Sequence, residues 1–149
     1  MYTEILSLVV EMNMEEIAHW AFAAFVIIAI VMGLVVGYMA YSATFHWADT
    51  NVSNTNAYVM LILLILGIVV GLISVAVKEV TPFLIATIAL IVASSQNVWQ
   101  PLNTIHELLY YWAYGILNYI VAFASPAAVI IAIRAITATA REKLKTVVH

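Results

Sequence analysis

Long apolar runs separated by short polar intervals dominate this chain, and their lengths predict helices that cross a bilayer. About 20 apolar residues cover a hydrocarbon core of roughly 30 Å as helix. Residues 21–41 form one such run, uncharged and entered through His19 and Trp20. A polar loop over residues 46–56 separates it from residues 57–77, almost purely aliphatic and closed by Lys78 and Glu79. A third span is expected over residues 82–98. Pro82 suits a helix start, because proline in the first turn gives up only an amide that had no partner. The tail Ser94, Ser95, Gln96, Asn97 is polar, so a re-entrant or buried segment is the alternative there.

The last run is too long for one crossing: residues 103–145 as continuous helix would measure about 64 Å. The expected division is an aromatic interfacial stretch over residues 103–114, a span over residues 115–133 and a helical extension into water over residues 135–146. Pro126 should kink that span, since it removes one ladder bond. Ahead of the first span, Ile5, Leu8, Val9 and Met12 fall at i, i+3, i+4, i+7, with Glu4, Ser7 and Glu11 largely opposite. That pattern predicts a helix lying on the interface. The expectation is therefore an all-α polytopic membrane protein of about four spans, one domain over residues 1–149.

Composition strengthens this reading. Of 149 residues 66% are hydrophobic and 9% charged, against about a quarter charged in soluble domains. The lipid bilayer is the expected solvent for most of the chain. Cysteine is absent, which excludes disulfides, thiolate metal sites and thiol redox chemistry. The net charge of −3 includes no basic run of the kind that binds nucleic acid. The first apolar run follows glutamates rather than a basic segment, so no cleavable signal peptide is expected. With the N-terminus cytoplasmic, Lys78, Arg134, Arg141, Lys143 and Lys145 all fall inside, as basic residues flanking spans do. Both termini are accordingly expected in the cytoplasm.

Small residues supply the sharpest motif. Residues 31–40 resemble residues 65–74 at an offset of 34 positions, and each copy contains GxxxG, Gly33 with Gly37 and Gly67 with Gly71. Helices in lipid gain little hydrophobic advantage by touching, so close backbone approach over small residues is a main route to association. Ala29 extends one groove and Ser74 the other. A further stripe, Gly115, Asn118, Ala122 and Ser125, marks the last span. Asn118 is an amide among apolar neighbours and is expected to make an interhelical hydrogen bond.

Chemistry is sparser. Glu16 and His19 have the E-x-x-H spacing of di-iron bundles, but one copy occurs where such a site needs two and two more glutamates. His46 with Asp49, and His106 with Glu107, fall at the same predicted interface. Two imidazoles and two carboxylates suit a metal, and two histidines suit haem b. Beside tryptophan, the same residues also simply mark where helices meet water. No Asp, Glu, Lys or Arg lies deep within a predicted span, which argues against proton relays, ion couplers and most transporters. The function expected from the sequence is a non-catalytic membrane subunit. It packs laterally, with itself as homo-oligomer or with other subunits of a membrane complex of respiratory or monooxygenase type. The alternatives are a virion membrane or capsid protein forming a helical-hairpin lattice, and a haem- or metal-bearing anchor.

Overall fold

A computed structural model of the chain describes residues 1–73 and 80–148, apart from the side chains of Val9, residues 11–15, Ala18 and Gln96; every described element is helical. Helix α1 covers Tyr2–Ser42, a 3-10 turn His46–Ala48, α2 Thr50–Ile73, α3 Val80–Ala93 and α4 Gln96–Trp99; a second 3-10 turn, Gln100–Thr104, precedes α5, Glu107–Val148. His19–Ser42 within α1, α2 and α5 are each long and apolar enough to cross a membrane. The chain is thus all-helical and compatible with a multi-pass membrane protein.

Several predicted boundaries differ from those found. The interfacial helix and the first span are one helix, because the sequence contains neither glycine nor proline from Tyr2 to Met32 and nothing stops the ladder. Residues 50–56 are helical rather than loop, since Asp49 caps α2 and starts it early: its Oδ1 accepts the Asn51 amide at 3.0 Å. The far end of the predicted second span, with Ser74, Lys78 and Glu79, lies outside the described residues. Helix α3 stops at Ala93, about 21 Å long and short of a full crossing. Val80–Ala93 and Asn97–Thr104 are bent by 67°. The polar tail noted in the sequence coincides with that bend.

The last run carries its expected changes of environment on one continuous backbone. Residues 107–148 form a single helix of 42 residues, about 63 Å long, that continues through Pro126. A change of solvent along a helix need not break its backbone. Proline is tolerated in lipid where neighbours accommodate the freed carbonyl, and Ala122, Ala124, Ala127 and Ala128 keep that turn slim.

Helix α5 is the hub. It packs against α1 and α2 more extensively than they pack against each other, and α3 leans chiefly on it. Its buried residues Tyr111, Gly115, Tyr119, Phe123, Ala127 and Ile131 recur every fourth position. That ridge meets Ala29, Gly33, Val36, Gly37 and Ala40 of α1, and Val59, Leu63, Gly67, Val70 and Gly71 of α2, in one buried core. Gly37 approaches Tyr111, Gly33 approaches Ile116, and Phe25 and Phe22 approach Phe123, so α1 runs antiparallel to α5. Gly67 approaches Phe123 and Pro126 while Gly71 approaches Ala127, so α2 runs parallel to it. The chain between α2 and α5 therefore returns along the bundle. The start of α1 and the end of α5 share one end, here the terminal end; the 43–49 connection sits at the other, the loop end.

The glycines set these distances. An added Cβ at Gly33 would lie 2.5 Å from the Ile116 Cα, at Gly37 2.8 Å from the Tyr111 carbonyl oxygen, and at Gly71 2.8 Å from the Ala127 Cα. At Gly67 it would collide with the Phe123 carbonyl oxygen. Toward the terminal end Phe22 joins Phe83 (5.9 Å, edge-on) to Phe123 (5.4 Å), linking α1, α3 and α5 through rings. Arg134 Nη1 donates to the Leu72 carbonyl at 2.7 Å, tying α5 to α2 where the apolar section ends.

Candidate binding cavity

The loop end is shaped by a turn that the sequence forces between α1 and α2. Ala43 leaves the helix in extended conformation, and His46 adopts φ 51°, the one non-glycine with positive φ among the described residues. That conformation costs about 1–2 kcal/mol for an ordinary L-residue. It is held here by the His46 Nδ1–H, which donates to the Ala40 carbonyl at 3.2 Å, and by stacking on Tyr111 at 5.3 Å and 24°. Trp47 follows immediately. Its ring meets Tyr114 edge-on at 5.3 Å and approaches Tyr111 at 6.1 Å.

Beneath this aromatic roof lies a partly open cavity of about 100 Å³, lined by Trp47, Asn56, Met60, Tyr114, Gly115 and Asn118. It exists because Gly115 has no side chain to fill it and because Asn56 and Asn118 turn toward the seam of α2 and α5. Asn56 is fixed by Tyr119, whose hydroxyl donates to the Asn56 Oδ1 at 2.9 Å. Tyr119 is fully buried (0% exposed). A phenol placed so deep needs such a partner. The Nε1–H of Trp47 is buried with no hydrogen-bond partner, and so is that of Trp112, which packs beside Gly37 outside the cavity wall. Orphaned buried N–H groups are rare and call for an account.

The residues singled out in the sequence are distributed as follows. Gly33, Gly37, Gly67, Gly71 and Gly115 are all buried inside the chain against neighbouring backbone, so the grooves expected to join separate subunits hold this bundle together instead. Ala122 is half-buried and Ser74 lies outside the described residues. Asn118 lines the cavity; the side-chain bond from α5 to Asn56 of α2 is made by its neighbour Tyr119. The four candidate ligands have separate local tasks. Asp49 caps α2; His106 Nδ1 accepts the Leu108 amide at 3.1 Å and so caps α5; Glu107 is the acidic residue of that helix's first turn, where it complements the dipole. His46 and His106 connect only through rings, His46 on Tyr111, Tyr111 near Tyr41 at 6.3 Å, and Tyr41 near His106 at 6.1 Å. Among the described residues no three His, Asp or Glu side chains come together in a metal-binding group.

Sequence reasoning missed Trp47 and Asn56, which line the cavity with Asn118, and Tyr119, whose hydroxyl holds Asn56. Asn56 was hidden in the predicted polar loop. The signal for Tyr119 was helical phase: it falls on the every-fourth-position ridge with Gly115 and Phe123, whereas Asn118 lies about 100° round the helix at the edge of the same seam. Thr87 was missed too. It is the buried polar residue of α3, and its hydroxyl donates to the Phe83 carbonyl of its own helix at 2.9 Å. Comparison of the chain with protein-family models, with curated proteins and with solved structures finds no match.

Proposed function

We propose that the chain is a non-catalytic membrane subunit that packs laterally in a larger membrane assembly, crossing four times with both termini cytoplasmic. The observation that carries this is the edge position of α3. Only Thr87 of its 14 residues is fully buried, whereas α1, α2 and α5 each bury a continuous stripe. Val80, Phe83, Leu84 and Leu90 face inward in part. On the opposite side Ala86 and Ala89 are exposed among Ile85, Ile88 and Val92. Small residues flanked by isoleucine permit close backbone approach by a further helix, and this face, unlike the glycine grooves, is free. Several of the described polar residues do structural work, as caps, turn locks and the interhelical bonds of Tyr119 and Arg134, which fits a scaffold.

A photo-crosslinking residue placed at Ala86 or Ala89 in native membranes tests the reading. Capture of a second polypeptide, another subunit or a second copy, is expected there and not at Ile65, exposed on α2. Adducts with lipid alone at both α3 positions would overturn it.

A further inference from the structure

We infer that the cavity under Trp47 is a binding site for an uncharged carbonyl group on a small or lipid-borne molecule. No charged residue lines it, so neither an anion nor a cation would be compensated there. Its polar lining is rich in donors. The Trp47 Nε1–H can only donate, and it is buried without a partner. The Asn56 Oδ1 already accepts one bond, from Tyr119, and that side chain also brings the two N–H donors of its amino group. Asn118 supplies a second amide. The complement to this set is an acceptor with no proton to place, and a carbonyl oxygen fits it.

Shape and position agree. About 100 Å³ is several times the roughly 10–15 Å³ that admits one water, so the space holds an ester or ketone with a few carbons. Met60 and the gap over Gly115 provide an apolar floor for those carbons. Asn118 stands seven residues beyond Tyr111 on α5, about 10 Å from the aromatic layer. Trp47 and Tyr114, which line the cavity, are aromatic residues of the kind that sit at headgroup level, where lipid ester carbonyls lie. The same chemistry is offered by a free membrane-soluble ketone, and the two sources are separable.

The test uses full-length protein with ¹⁵N-labelled indoles in nanodiscs of ester-linked or ether-linked phosphatidylcholine. The chain has four tryptophans, so four indole signals are expected, with Trp47 and Trp112 assigned through Trp47→Phe and Trp112→Phe. A lipid source moves the Trp47 Nε1–H resonance downfield in ester discs relative to ether discs. A free source leaves it unmoved between lipids and shifts it saturably when cyclohexanone is added to ether discs. In both cases Asn118→Leu abolishes the shift, while the Trp112 signal stays in place and reports an intact fold. A Trp47 resonance identical under all three conditions and exchanging magnetisation with water would overturn the inference, leaving the cavity as a water site.

Discussion

Gly115 of α5 stands over the carbonyl of Gly33 of α1: a Cβ on Gly115 would lie 2.8 Å from that oxygen, and one on Gly33 would meet the Ile116 backbone. Neither position takes a methyl group without separating the helices. These glycines are therefore spent on the chain's own bundle.

Stability, rather than association, should respond to changes at these sites. Gly33→Ile and Gly67→Ile are expected to lower unfolding free energy by about 1–3 kcal/mol or more, because each meets backbone that cannot swing aside. Leu64→Ile, at a position 43% exposed, should change it by under about 0.5 kcal/mol. Titration of detergent-solubilised protein with dodecyl sulfate, followed by circular dichroism, measures this. Glycine variants as stable as wild type would contradict the close packing described.

The Tyr119–Asn56 bond is the interhelical polar link of the core. Tyr119→Phe should cost about 0.6 kcal/mol, the average for such bonds between membrane helices, and at most about 1.7 kcal/mol. In a double-mutant cycle with Asn56→Leu, the second change should cost less once the first is made. Strict additivity would mean that the two side chains do not interact.

At the loop end, Asp49→Ala should remove about 0.5–2 kcal/mol through loss of the α2 cap, and Asp49→Asn should remain near wild type. The same loss is expected with and without a chelator. A loss confined to metal-supplemented protein would reassign Asp49 as a ligand.

These contacts show where the sequence was legible. The apolar runs and the glycine pairs are visible in one dimension because lipid solvation and close approach impose composition directly. Helix ends were harder. Residues 2–42 and 107–148 each cross from one solvent to another without a breaker strong enough to stop them, so polarity marks the interface and not the helix boundary. Partner choice was hardest: whether Gly33 packs on Ile116 or on another chain depends on which helices are neighbours, and Asn118 differs from Tyr119 only by helical phase.

Helix sense makes a topological prediction. Because α2 and α5 run parallel, a cysteine at Asn54, near the start of α2, and one at Thr146, near the end of α5, should lie on opposite faces of the membrane. The chain has no native cysteine to interfere. An impermeant maleimide applied to sealed vesicles should label only one of the two in a given orientation. Labelling of both from one side would refute the four-crossing arrangement.

The hub is synthesised after the helices it holds. Gly33 and Ile116 touch in the bundle but leave the ribosome some 80 residues apart, several seconds at roughly 5–20 residues per second. Through that interval α1 and α2, each with a stretch long and apolar enough to cross a bilayer, have their grooves bare and only a modest contact between them. Bundle closure is thus a late event tied to release of α5 into the membrane. Chains halted before that point would carry two unfilled grooves, open to capture by any other small-residue helix within reach.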